Sequence, residues 1–471
     1  MIRPPEVIDR TDTVLVVGAG PGGLAAVKNL RERGHRAEAV EKHSDIGGNW
    51  NIDNPQARIY GSTHFISSKP QTSYPDFPMP ADYPDYPRHD LFLAYLRRYA
   101  EHFDLLPYVR LSTRLQIAQP VDPADPATDW RATLQLPDGS IETADYRALV
   151  VANGHNWDPK WPHYPGMDSF EGEMIHAADY AGPDQLRGKR VLVVGAGNTG
   201  CDLAVESAQY AARTLHSTRR GYWYAPKYAL GRPADQVGDL MNLLRIPVRV
   251  KQALLARTIR LLQGSNTAHG LPEPDHRPLE VHAIVNSLLM YYIGQGDITP
   301  VPDVERFHGH QVELTDGRRE GVDLVVMCTG YWATFPFLDQ RYLNWHDGRP
   351  WLYEHVFSPQ FETLFVVGLL QGDGAAITPI HWQTMAIAEF LSVREREPAA
   401  ARAWFQSAPA RLRDSGKGEE GAPRGRWPVQ AYEGYQGGVH HDNSTRHYFE
   451  IANTPYLRAI ERTLNDLEGI R

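Results

Sequence analysis

Two glycine-rich loops of the same design, Gly18-Ala-Gly-Pro-Gly-Gly23 and Gly195-Ala-Gly-Asn-Thr-Gly200, stand in one chain of 471 residues. Each follows a short β-branched run, Thr13-Val-Leu-Val-Val17 or Arg190-Val-Leu-Val-Val194, of the kind buried in a parallel sheet. Each opens a helix-forming stretch that begins near Leu24 or Cys201. The roles of the glycines follow from geometry. Gly18 and Gly195 permit the tight turn, Gly20 and Gly197 let backbone approach a pyrophosphate, and Gly23 and Gly200 allow helix to pack on strand. Asn198 lies inside the second loop. The arrangement predicts an α/β chain with two dinucleotide-binding Rossmann-like domains.

The ends of the second strands distinguish the two sites. Glu41, with Lys42 beside it, lies 23 positions after Gly18, where a carboxylate can accept from ribose hydroxyls. The same distance from Gly195 leads to Thr218, preceded by Ser217 and followed by Arg219 and Arg220. A carboxylate there would repel a 2′-phosphate, whereas guanidinium groups bind its oxygens. The second site is therefore expected to take NADPH rather than NADH.

Composition removes several classes. A formal charge of −9 is wrong for a general nucleic-acid surface. No run of 18 apolar residues suggests a transmembrane span, and the first residues, which lack an apolar stretch, lead to the expectation of no secretory signal. Cys201 and Cys328 read as reduced thiols, so a cytoplasmic protein is expected. His308-Gly-His310 has ligand spacing but no carboxylate or cysteine to complete a site, and no metal is expected.

The rest of the chain fits around the loops. Proline-rich, aromatic segments between residues 59 and 87 read as a rigid cover, and residues 131–136 and 141–146 as a hairpin before a separate buried strand at 147–152. Domain boundaries are placed at 1–157, at 158–330 with a helical insertion near 225–295, and at 331–471. The insertion carries two amphipathic stretches, residues 240–246 and 250–262, expected to pack in a core or a dimer rather than on a membrane. Residues 415–426 form a Gly/Arg-rich loop without evident chemistry.

The motif Ile46-Gly-Gly48-Asn-Trp50 follows the first acidic position and resembles two-dinucleotide-domain flavoproteins, in which the first unit binds FAD. With Asp76-Phe-Pro-Met-Pro80, Ser68-Lys69 and Phe170-x-Gly-x-x-x-His176-x-x-x-Tyr180, the chain resembles flavin-containing monooxygenases and their Baeyer–Villiger relatives. Residues 217–221 and Thr329-Gly330-Tyr331 resemble further family segments, the latter where the chain returns to the FAD domain.

The resemblance implies FAD reduced by NADPH, a C4a-(hydro)peroxyflavin formed with O2, and insertion of one oxygen atom into a small lipophilic substrate. Sulfur or nitrogen oxygenation is the first expectation, ketone oxidation the alternative, and a flavoprotein reductase, oxidase or non-catalytic flavin binder a third. The family places an asparagine two positions before Ser68, but here that position is Ile66, which makes His64 and Ser67 the candidate polar neighbours of the reacting carbon. His176 is expected to act indirectly, as a coupling element between domains. Gln383, on the helix after Thr378, is a candidate flavin neighbour. A homodimer stays open.

Overall fold

The computed structural model describes residues 7–244, 246–281, 284–346, 348–372, 374–407, 450–451 and 453–470. The stretch 415–426 lies outside them. The chain forms two compact units: one from Met1–Ala57, Lys69–His155 and Ala333–Arg471, the other from Arg58–Ser68 and Asn156–Trp332. Arg58–Ser68 thus packs with the second unit, although the chain on both sides of it belongs to the first.

The first unit is built on β1 (Val7–Val17), α1 (Pro21–Glu32) and β2 (Arg36–Val40), followed by β3 (Val109–Arg110), β4 (Arg114–Pro120), β5 (Trp130–Gln135) and β6 (Ile141–Val151). The sheet runs β3-β2-β1-β6-β5-β4. The parallel pairs β1/β2 and β1/β6 flank the first glycine loop. The expected hairpin is present as β5/β6, but the separate strand after it is not: β6 is one strand of 11 residues. Its first half pairs with β5, while its last three residues also pair in parallel with Leu364–Val366. No turn residue separates the halves, so hairpin and central strand merge. Helix Ile377–Arg396 starts at a cap position held by Ala376, with Thr378 inside its first turn.

The second unit has β7 (Asp158–Pro159), β8 (Glu173–His176), β9 (Arg190–Val194), α2 (Asn198–Tyr210) and β10 (Arg213–Ser217), then β11 (Ile298–Val301), β12 (Leu324–Met327) and β13 (Tyr331–Trp332). Its main sheet, β11-β10-β9-β12-β8, is parallel throughout. Parallel strands are covered on both faces, which is why β9 and β12 are nearly continuous runs of fully buried aliphatics.

Helices Ala234–Leu243 and Val248–Gln263 lie in the insertion and do not pack as core elements. The second has two apolar stripes. Ile259 is buried, but Val250, Leu254 and Leu261 point outward, Leu261 with 84% of its surface exposed. A helix with apolar residues on two sides buries only one of them against a single neighbour. Among the described residues no helix is long and apolar enough to cross a membrane.

Candidate active site

Both loops turn through glycine for a steric reason. Gly18 has φ +102°, and a Cβ on it would lie 2.7 Å from the Ala152 carbonyl oxygen. A Cβ on Gly23 would come within 1.8 Å of the Gly18 oxygen, so helix and strand touch through bare backbone. Gly47 donates its N–H to the Ala19 carbonyl at 3.0 Å, which lays the Gly47-Gly48 turn along Gly20. No side chain caps α1 at Gly20, so its first-turn N–H groups are left for an anion. Glu41 is buried, accepting from the Ala19 N–H at 2.8 Å and the His43 N–H at 3.0 Å. Burial pushes its carboxyl up, and these two donors hold it back. Lys42 reaches Gln56, and Trp50 meets Phe92 edge to face, ring centroids 5.0 Å apart.

The second loop repeats the first. Gly195 has φ +114°, a Cβ on it would lie 2.4 Å from the Cys328 oxygen, and a Cβ on Gly200 would lie 1.9 Å from the Gly195 oxygen. Gly197 caps α2 without side-chain help. Asn198 turns its Oδ1 to the Val285 N–H at 2.8 Å, fixing the start of the helix. At the end of β10, Ser217 donates to the Pro302 carbonyl and the Thr218 N–H to Val301, both residues being buried. Beside them opens a cleft of about 710 Å³ lined by Thr218, Arg219, Leu271, Pro302, Asp303 and Arg318, among others. The two arginines separate here. Arg219 lines the cleft, whereas Arg220 is not among its lining residues; its charge adds a little to the effect of His276, which holds the Asp275 carboxyl below its usual range.

Around the fingerprint, several crossing segments of the second unit converge. His176 is fully buried, its Nδ1 accepting from the Ala178 N–H at 3.0 Å. Its ring packs against Trp161 and Tyr331, with centroids at 5.7 and 5.4 Å. Burial lowers its pKa, so the imidazole is neutral near pH 7. Thr329 donates to the Lys160 carbonyl at 2.6 Å, and the Lys160 N–H returns to Gly330, which closes the β7/β13 pair. Arg58 donates to the Trp157 and Ala178 carbonyls at 3.0 and 3.5 Å. His64 is exposed, with its Nδ1 donating to the Ser62 carbonyl, while Ser67 is buried.

In the first unit, Gln383 has no exposed surface and both ends of its amide are engaged. Oε1 accepts from the Gly368 N–H at 2.9 Å, and Nε2 donates to the Tyr456 hydroxyl at 2.7 Å. It therefore acts on its surroundings by fixing Gly368, just past the strand Leu364–Val366.

A polar cluster on α2 is not marked by any sequence motif. The Tyr60 hydroxyl lies beside Asp202 and favours its charged form, and Asp202 accepts from Asn286 at 2.7 Å. One turn on, Glu206 accepts from Ser62 at 2.7 Å, with the Tyr180 hydroxyl beside it. Burial pushes the Asp202 carboxyl up to about 6, with Lys227 opposing. Two acids four residues apart on a helix look in sequence like an ordinary solvated face, and only the i, i+4 spacing hints at a shared partner.

Two uncapped glycine loops of one geometry, each between parallel strands, define a protein of the two-dinucleotide-domain class. Residues 11–401 match the family described as flavin-binding monooxygenase-like. Flavin-containing monooxygenase 1 of Homo sapiens is 32% identical over 379 residues, covering 77% of this chain and 70% of that protein. The chain belongs to the flavin-binding monooxygenase-like family and is an FAD- and NADPH-dependent oxidoreductase. Among solved structures, S-allyl-L-cysteine S-oxygenase from Allium sativum shares the fold with TM-score 0.64 and 19% identity, over 98% of this chain and 89% of that one. Cyclohexanone monooxygenase with bound ε-caprolactone does so with TM-score 0.65 and 19% identity, over 85% and 92%.

Proposed function

We propose that the protein is a monooxygenase that uses NADPH and O2 to place one oxygen atom on a sulfur or nitrogen of a small lipophilic substrate. The observation that carries this reading is the doubled loop geometry combined with different ends to the second strands: a buried carboxylate at Glu41 and a cleft-lining guanidinium at Arg219.

Both cradles suit dinucleotides, because each is shaped by positions that a Cβ would fill and each ends at an uncapped helix start. In the first, the α1 N-terminus faces pyrophosphate, Glu41 and Lys42 serve the adenosine side, and Gly48 and Trp50 border the flavin side. In the second, Gly195, Gly197, Asn198 and Gly200 take the pyrophosphate, while Ser217, Thr218 and Arg219 take the phosphorylated ribose, with Arg220 alongside. Bound FAD supplies hydride acceptance and oxygen activation. The chain's task is to orient the two nucleotides and exclude water, with Ser67 and His64 the side chains proposed to serve the oxygen step. His176, Thr329 and Gly330 hold the crossing segments and act on rate indirectly.

Ile66, in place of an asparagine, favours a second reading, the oxidation of ketones to esters. Tyr180 at the end of the fingerprint, where the best-known enzymes of that branch carry tryptophan, favours the first. The test is stoichiometric. Sulfide, amine and ketone substrates are supplied with NADPH and ¹⁸O₂, and product label is compared with NADPH consumed and peroxide released. One labelled oxygen per NADPH in a sulfoxide or N-oxide is expected. Peroxide alone with every substrate would sink the monooxygenase reading, and label only in esters would move the chain to the second.

A further inference from the structure

The segment Arg58–Ser68 leaves the first unit, packs with the second and returns, and its attachments are specific. Arg58 donates to two carbonyls, of Trp157 and Ala178. Tyr60 is buried with its hydroxyl beside Asp202, and its ring meets that of Tyr180 edge to face at 5.6 Å. Ser62 donates to Glu206, and the Ser68 N–H donates to Asp235 at 2.6 Å. Two of these anchors, Asp202 and Glu206, stand one turn apart on the same face of α2. That helix begins at the second glycine loop, with Asn198 pinned to Val285 and Asn286 bracing Asp202.

We infer that Asp202 and Glu206 are positioning residues through which a dinucleotide bound at Gly195–Gly200 fixes the strap Arg58–Ser68. Phosphate bound at the start of α2 meets the first turn of a helix that no side chain caps at Gly197, and so orders its first turns. Asp202 is the fifth residue of the helix and Glu206 the ninth, so the ordered turns are the ones that grip Tyr60 and Ser62. Local opening of a segment is governed by such ties, and a ligand that tightens their support lowers the rate of opening. The consequence is specific to this chain. The strap carries His64 and Ser67, so occupancy of one nucleotide site sets the placement of the side chains assigned to the oxygen step. The inference rests on the dinucleotide reading of the second loop.

Amide hydrogen exchange on the FAD-loaded protein, with and without NADP⁺, tests it without relying on turnover. In the wild type, NADP⁺ should slow exchange across 195–206 and also across 58–68, the latter by about tenfold, the scale of one charge-assisted tie. The double variant Tyr60→Phe, Ser62→Ala removes both grips from the strap and leaves α2 unaltered. It should keep the protection of 195–206 and lose that of 58–68, to within about twofold of the nucleotide-free rate. If the double variant does not retain FAD, Ser62→Ala alone carries the comparison, with partial loss expected. Protection of 58–68 that is absent in the wild type, or undiminished in the variant, overturns the inference while leaving the loop reading intact. Absence of protection at 195–206 itself defeats the loop reading and the inference with it.

Discussion

The carbonyl oxygen of Cys328 lies 2.4 Å from the place where a Cβ on Gly195 would sit, and Ala152 stands in the same relation to Gly18 at 2.7 Å. The residues just past the ends of β6 and β12 thus form the floors of the two glycine turns. Gly195→Ala meets that floor and a left-handed φ together, a strain of about 1–3 kcal/mol before any backbone shift. It should abolish measurable NADP⁺ binding in calorimetry while FAD content stays at wild-type level. Gly18→Ala should do the reverse, yielding protein without bound FAD. Unchanged NADP⁺ affinity in Gly195→Ala would remove the loop from the site.

The two arginines after β10 should not be equivalent. Arg219 lines the cleft beside Thr218, and Arg220 does not. Losing one charge-assisted hydrogen bond to a phosphate weakens binding by roughly 10- to 100-fold. Arg219→Ala should therefore raise KM for NADPH on that scale and leave KM for NADH nearly unchanged. Arg220→Ala should show a several-fold smaller effect. Equal losses for both coenzymes would mean that the guanidinium serves the fold rather than the 2′-phosphate.

Glu354 gives the first unit a pH dependence. It is 3% exposed, Thr463 donates to it at 3.0 Å, and burial pushes its carboxyl up to about 7, with Arg462 lowering and Asp466 raising it less strongly. Because the folded value exceeds the unfolded one, its contribution is complete below about pH 4.5 and is lost as pH rises through 7. Above that pH the folded state carries a cost on the order of 3 kcal/mol for charging the group. Glu354→Gln keeps the shape and removes the charge. Its melting temperature should exceed that of the wild type at pH 8 and converge with it at pH 5. A constant difference across that range would show that burial does not set this titration.

Much of this architecture is legible in the sequence because glycine and charge leave local marks. Gly18, Gly23, Gly195 and Gly200 sit where only a missing Cβ fits, and no distant contact is needed to place them. Glu41 and Thr218 follow by register from the first glycine. What sequence does not disclose is long-range partnership. Gln383 reads as a residue facing a ligand, yet Tyr456, 73 positions away, takes its amide. The hold of Asp202 and Glu206 on Tyr60 and Ser62 joins residues some 140 positions apart, and helical periodicity alone shows only a polar face. Likewise, periodicity in Val248–Gln263 reveals two apolar stripes but not which one meets a neighbour.

His176 invites a proton-transfer role, and its surroundings argue for another. The ring is buried and neutral between Trp161 and Tyr331, one nitrogen accepts from Ala178, and the segments it touches carry the chain into and out of the second unit. A group that packs but does not titrate should be replaceable in part by another ring. His176→Ala leaves a void worth about 2–4 kcal/mol of local packing and should slow NADPH-dependent turnover and raise the peroxide fraction. FAD content should be unaffected, because the residues proposed to hold FAD belong to the other unit. His176→Phe keeps the aromatic contacts and loses only the acceptor, so it should recover most of the turnover that the alanine variant loses. Were His176 a proton donor or acceptor in the reaction, Phe and Ala would be equally inactive, and the pH–rate profile of both would lose one limb. Recovery in His176→Phe with an unchanged profile is the outcome that a packing role requires.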